Sequence, residues 1–115
     1  MDVLDLIIKK KFAKEIAEGT KVREYRTCNN HYLNRICNVQ KNEDGEYEAV
    51  GYKHFDEARF HDYNNSFEVV CKVEDLYIFT ADEEFVRDFA DEVTTDVGND
   101  LIIIELGDIV SVRGL

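Results

Sequence analysis

The chain has 115 residues, of which 44% are hydrophobic, and a formal net charge of -11 at pH 7. This composition excludes a disordered protein, and we expect one domain over residues 1–115. The longest apolar run, residues 101–104, is far too short to span a bilayer, so we expect no membrane association. Three cysteines without a Cys-x-x-Cys pair or a secretory signal predict reduced thiols and a cytoplasmic location.

The first quarter of the sequence predicts a strand, a helix and a second strand. Residues 3–8 are apolar and rich in β-branched side chains, which is typical of a buried strand. Residues 10–18 place apolar side chains at helical spacing, and Gly19 stands where a left-handed C-terminal cap is needed. Residues 20–26 then favour an extended strand.

The middle of the sequence predicts a short helix and two hairpins. Asn29 or Asn30 is a suitable N-cap for the helix. Asp44-Gly45 is a strong hairpin signal between two strands. Residues 55–61 and 67–79 form a second predicted hairpin, joined by a loop rich in Asp and Asn.

The last third predicts a helix and two closing strands. Thr80 and Glu83 fit a capping box that opens a helix over residues 81–93. Residues 101–106 and 109–112 are predicted strands separated by a bend at Gly107. This order is not the alternation of a parallel α/β protein, so we predict an α+β fold built on a small, mostly antiparallel sheet or barrel.

The charge is unevenly distributed along the chain. Residues 1–35 carry a net charge of +3 and the remainder carries -14. A protein that binds nucleic acid along an extended groove has a basic domain, so this class is disfavoured. A small, local site for an anionic or polar ligand is still compatible with this distribution. Another possibility is a protein partner that docks on an acidic face, formed by Glu83, Glu84, Asp88, Asp91 and Glu92.

A cluster of opposite charges follows the first predicted helix, in the segment Gly19-Thr20-Lys21-Val22-Arg23-Glu24-Tyr25-Arg26. Lys21 supplies a mobile cation, and Glu24 can hold that cation, accept a hydrogen bond from a base or act as a general base. In an extended strand Arg26 shares a face with Glu24 and can brace it or bind a phosphate. A purely structural ion-pair network is the alternative interpretation.

The segment resembles the Gly-x-Lys-x-x-Glu-x-Arg signature of the ASCH family (activating signal cointegrator homology) at Gly19, Lys21, Glu24 and Arg26. The preceding Lys10-Lys11-Phe12 to Gly19 is similar to the helix before that signature. Residues 57–63 resemble the hairpin midway in phage-type members, residues 67–73 the strand that follows it, and residues 101–109 the closing strand. The resemblance implies a PUA-like β-barrel with two or three short helices. It also implies a cleft that binds RNA or a modified nucleotide, and we expect no cofactor.

Some small members of that family are amidohydrolases that act on N4-acetylcytidine, which is the enzymatic alternative. In those enzymes a threonine nucleophile occupies the motif position that is Glu24 here. The departure removes the attacking hydroxyl, and Thr20 lies on the other side of Lys21. If the chain is an enzyme, we expect Lys21 to act as base or electrostatic stabiliser and Glu24 as proton acceptor.

Further ligand-binding candidates are Thr20, Tyr25, Arg59 and His61. Arg59 and His61 are two residues apart in a predicted strand and therefore point to one side, either toward a ligand or toward solvent. Tyr25 and Phe60 have rings that can stack on a base, although aromatic residues in strands more often pack in a core.

The cysteines offer little chemistry. Cys28, His31 and Cys37 have a spacing that could contribute to a zinc site, but a fourth ligand is missing from the segment. We therefore predict no metal site. Cys71 lies in an apolar predicted strand and is expected to be a core residue.

Overall fold

The computed structural model describes all residues, 1–115, and has an α+β fold with three short helices and seven strands. The strands are β1 (Val3–Ile7), β2 (Arg23–Thr27), β3 (Cys37–Lys41), β4 (Tyr47–Tyr52), β5 (Glu57–His61), β6 (Glu68–Thr80) and β7 (Asp100–Arg113). The helices are α1 (Lys10–Glu18), α2 (Asn30–Ile36) and α3 (Glu83–Asp88). None of these helices combines the length and the apolar character that crossing a membrane requires.

The strands form a curled five-stranded sheet in the order β1-β5-β6-β7-β2 and a two-stranded sheet of β3 and β4. β5 runs antiparallel to β6, and β3 runs antiparallel to β4. β1 is the exception, because it pairs in parallel with β5 and places Leu4 beside Ala58 and Leu6 beside Phe60. The predicted α+β class with a small, mostly antiparallel, barrel-like sheet is confirmed.

The chain divides into two compact units. The first comprises residues 1–24, 54–75 and 104–115, and its most deeply buried side chains include Leu4, Ile16, Phe60, Val69 and Ile104. The second comprises residues 25–53 and 76–103, and it contains an apolar cluster formed by Tyr25, Ala81, Phe85, Leu101 and Ile103. The assignment of residues 1–115 to a single domain stays a prediction.

The predicted first helix is confirmed at both ends. α1 covers Lys10–Glu18 and buries Ala13 and Ile16 on its apolar side. Gly19 has a φ of 83°, and its amide donates to the carbonyls of Glu15 and Ile16. Glycine adopts this left-handed conformation without the steric penalty of a Cβ atom, which explains why the helix ends here.

The predicted third helix is too long and its cap is wrong. α3 covers only Glu83–Asp88, and Asp82, not Thr80, is its N-cap: the Asp82 side chain accepts a hydrogen bond from the Phe85 amide. Thr80 ends β6 instead, and its hydroxyl donates to Asp100 Oδ1 at 2.5 Å. The Thr80 hydroxyl, which the sequence suggested as a helix cap, therefore connects the end of β6 to the start of β7.

The two predicted closing strands are one continuous strand. β7 passes through Gly107 without a break and without a positive φ at that glycine. A Cβ atom at Gly107 would lie 2.8 Å from Cγ of Glu74. Gly107 therefore provides space for the Glu74 side chain, and the strand continues through it.

Candidate functional site

Lys21 and Glu24 form a charged pair that is almost completely removed from solvent. The Lys21 Nζ lies 4.0 Å from the Glu24 Oε1, and the two side chains are only 9% and 10% exposed. This separation is longer than a charge-assisted hydrogen bond, which is usually shorter than 3 Å. The two opposite charges are thus close enough to interact strongly without being held in a short direct bond.

The end of α1 positions Lys21. The backbone amides of Thr20 and Lys21 both donate to the Glu15 carbonyl, so the chain follows the helix end before it becomes extended. The Lys21 ammonium lies 5.5 Å from the centre of the Phe12 ring, within the range of a cation–π interaction.

The predicted strand over residues 20–26 therefore begins later than expected, at Arg23. In a regular strand Lys21 and Glu24 would point to opposite faces. Because Lys21 precedes the strand, this alternation does not apply to it, and its side chain can approach Glu24. The Thr20 hydroxyl donates to the Glu15 carbonyl at 3.1 Å. Thr20, which was predicted to contact a ligand, therefore contributes to the C-terminal end of α1.

Arg23 makes the tighter ion pair of this segment. Its Nε donates to Glu105 Oε1 on β7 at 3.0 Å, and both side chains are about one-third exposed or less. Glu105 is not marked as a partner of Arg23 by any local sequence motif. Oppositely charged residues on neighbouring strands tend to pair, and this rule could have suggested Glu105. Applying the rule requires knowing that β2 and β7 are neighbours, which the sequence does not show.

Tyr25 and Arg26 belong to the second compact unit. The Tyr25 ring is buried and meets Phe85 edge to face, with ring centres 6.2 Å apart. Arg26 donates from Nη1 to the Tyr32 hydroxyl at 3.1 Å, and its guanidinium lies 5.6 Å from the centre of that ring. Arg26 therefore braces α2, and the binding roles of both residues stay predictions.

Arg59 has a dense set of partners in the first unit. Its guanidinium donates to Asp5 Oδ1 at 2.9 Å, to Glu68 Oε2 at 2.5 Å and to Asn65 Oδ1 at 2.6 Å. Hydrogen bonds to Asp5 and then to Glu68 raise the pKa of Arg59. Asp5 and Glu68, which no local sequence motif marks, connect β1 and β6 to β5 through this cation.

His61 lies beside the same carboxylate. Its Nδ1 lies 2.8 Å from the Asp62 carbonyl oxygen, and its Nε2 lies 3.5 Å from Asp5 Oδ1. Since a carbonyl oxygen only accepts, Nδ1 carries the proton. Arg59 and His61 both contact Asp5 Oδ1, so they point to one side of β5, as predicted. Their other partners are the Glu68 carboxylate, the Asn65 amide oxygen and the Asp62 carbonyl. Phe60, between them, is fully buried.

The cysteines are not part of a cluster of potential metal ligands. Across the chain no group of three or more His, Cys, Asp or Glu side chains is placed to hold a metal ion. Cys28 is half-buried, whereas Cys37 and Cys71 are buried. Burial raises the pKa of all three thiols, that of Cys71 to about 12. The expectation that Cys71 is a core residue is confirmed.

The arrangement around Lys21 and Glu24 provides a cation and an acceptor within a few ångströms of each other. These are the complementary partners of a planar polar group that carries both a carbonyl oxygen and an amino group. Comparisons of the chain with protein-family models, curated proteins and solved structures found no match.

Proposed function

We propose that the chain is an ASCH-like domain that binds RNA or a modified nucleotide at a site built on Lys21 and Glu24. The observation that carries this proposal is the low exposure of both side chains at a separation of 4.0 Å. Removing two charges from water is expensive, and a buried ion pair is a poor means of stabilising a fold. A binding role gives a reason for keeping such a pair.

The chemistry of a nucleobase fits this pair. Glu24 accepts from an exocyclic amino group, and Lys21 donates to a ring carbonyl or to a phosphate. The net charge of -11 limits the ligand to a nucleotide or a short single strand, because an extended polyanion is repelled. The Gly-x-Lys-x-x-Glu-x-Arg resemblance supports the same ligand class.

The test is an amide NMR titration of the labelled protein with nucleosides, nucleotides, N4-acetylcytidine and short single-stranded RNA. We expect shifts concentrated at Thr20, Lys21 and Glu24 with at least one of these ligands. Glu24→Gln and Lys21→Met should each weaken binding about tenfold or more, because each removes a charge-assisted hydrogen bond. Lys14→Ala is the matched control, since Lys14 is an exposed lysine on α1.

The outcomes separate the alternatives. Loss of the acetyl signal from N4-acetylcytidine, abolished by Glu24→Gln, would identify the amidohydrolase. An unchanged spectrum with every ligand at millimolar concentration would contradict nucleotide binding. The remaining hypothesis would then be a basic protein partner on the exposed acidic residues near α3.

A further inference from the structure

β7 extends far beyond the strand that pairs with it on one side. β7 has 14 residues and lies between β6 and β2 in the sheet, whereas β2 has only five. The Leu106 amide donates to the Val22 carbonyl at 2.9 Å, just before β2 begins. The amides of Thr20 and Lys21 turn back to Glu15 of α1, so this segment does not continue the pairing.

The backbone of β7 beyond Leu106 therefore has an open edge. In a strand, the N–H and C=O groups of every second residue point to the same edge. Because Leu106 donates toward Val22, the groups of Asp108, Val110 and Val112 point to this same edge. The side chains of residues 108–113 are all exposed, including Ile109 at 40%, Val110 at 48% and Val112 at 47%. An exposed, β-branched edge is a template for another strand.

We propose that a second copy of this chain adds to this edge, antiparallel to the first, so that residues 108–113 of the two copies form a two-fold symmetric contact. A two-fold axis perpendicular to the sheet at Val110 places Val110 opposite itself and Asp108 opposite Val112. In this register all three edge-facing residues exchange backbone hydrogen bonds. The contact uses the same surface of both copies and closes on itself.

The charge of the segment supports a second copy as the occupant. Asp108 and Arg113 stand at opposite ends, so residues 108–113 carry no net charge within a chain of -11. An antiparallel approach brings the Arg113 end of each copy toward the Asp108 end of the other. The Arg113 side chain is 53% exposed, but its guanidinium donates to Asn65 Oδ1 at 3.3 Å and lies 3.9 Å from Glu68 Oε2 of β6. The proposed contact therefore depends on backbone hydrogen bonds and not on an ion pair from Arg113.

The overall charge predicts how the contact depends on salt. Two copies that each carry -11 repel one another at long range, whereas the backbone hydrogen bonds act only in contact. Added salt screens this repulsion, and at about 0.1 M salt little of it extends beyond about 10 Å. Dimerisation should therefore strengthen as the ionic strength rises, which is opposite to the behaviour of a contact made by ion pairs.

The experiment is sedimentation equilibrium of the full chain at low and high salt, over a wide range of concentration. We expect the wild type to dimerise, and Val110→Pro to raise the dissociation constant about tenfold or more, since proline removes an edge-facing donor from each copy. The N–H of Val110 points away from β6, so the substitution leaves the β6 pairing intact, and circular dichroism checks the fold. Val110→Thr keeps the donor and is the matched control.

Two results would overturn the proposal. One is a wild-type chain that stays monomeric at high salt and millimolar concentration, which would leave the edge to a strand of another protein. The other is a folded Val110→Pro variant that dimerises as tightly as the wild type. Loss of dimerisation in Val110→Pro, but not in Val110→Thr, supports pairing through the β7 edge.

Discussion

The Lys21 ammonium and the Glu24 carboxylate lie 4.0 Å apart, and about nine-tenths of each side chain is buried. We predict that this pair contributes little to the net free energy of unfolding, although removing only one of its two charges lowers that free energy. Lys21→Met alone should lower the free energy of unfolding by about 3 kcal/mol, because the buried carboxylate loses a compensating charge. The double variant Lys21→Met/Glu24→Leu should recover most of that loss.

Urea denaturation of the two single variants and the double variant measures this coupling. If the double variant is as unstable as the sum of the single ones, the two charges are not coupled and the pair interpretation fails. If the double variant is stable but fails to bind a nucleotide that the wild type binds in the NMR titration, the result supports a binding role for the pair. The exposed Lys14→Met substitution provides the matched control for losing a lysine.

The cap of α3 gives a second prediction. Asp82→Ala should lower the free energy of unfolding by about 1 kcal/mol, because the Phe85 amide loses its acceptor at 2.8 Å. Phe85 is part of the apolar cluster of the second unit, so loosening the start of α3 should also disturb the packing of that cluster. Glu83 lies in the first turn of α3 but is not the N-cap, so Glu83→Ala should change the free energy of unfolding by only about a few tenths of a kcal/mol. Equal effects of the two substitutions in urea denaturation would contradict this cap.

The thiols should react in a definite order. Cys28 is half-buried, Cys37 is fully buried, and burial raises the pKa of Cys71 to about 12. At about pH 8, on the order of one Cys71 thiol in ten thousand is ionised, and only the thiolate reacts. Alkylation of the native protein followed by peptide mass spectrometry should modify Cys28 first and Cys71 last. In denaturant all three should react at similar rates, and rapid native labelling of Cys71 would contradict its burial.

The loop between β5 and β6 should contribute a pH-dependent stability. The hydrogen bond from the Ser66 hydroxyl, and then the Ser66 amide, lower the pKa of Asp62 from its usual value near 3.9. A carboxylate with a lowered folded pKa stabilises the fold above the unfolded pKa. This contribution is lost as the pH falls through the folded pKa.

Asp62→Asn should remove this part of the acid dependence. Urea denaturation of wild type and variant between about pH 2 and 6 should show a stability difference that shrinks as the pH falls. Ser66→Ala removes the hydroxyl donor and should reduce the same acid dependence. A difference that is constant over this range would show that the Asp62 carboxylate is not responsible.

Much of the local structure could be predicted from spacing alone. α1 and its Gly19 cap were correct, because helical periodicity and a left-handed glycine are signals within a few residues of each other. The Asp44-Gly45 turn between β3 and β4 was correct for the same reason. The overlong third helix shows the limit of this method. Phe89 and Val93 continue the apolar spacing and pack on the core cluster, but the helix has already ended.

For the candidate site, the local sequence was enough to predict that Lys21 and Glu24 lie close together. Lys21 and Glu24 were selected from a short motif, and they meet because they are three residues apart at the end of a helix. The partners of the other charges depend on the three-dimensional arrangement of the strands. Arg59 meets Asp5 from 54 positions away, and Arg23 meets Glu105 from 82 positions away. Such pairs depend on which strands become neighbours in the sheet, and the local spacing of residues carries no information about that order.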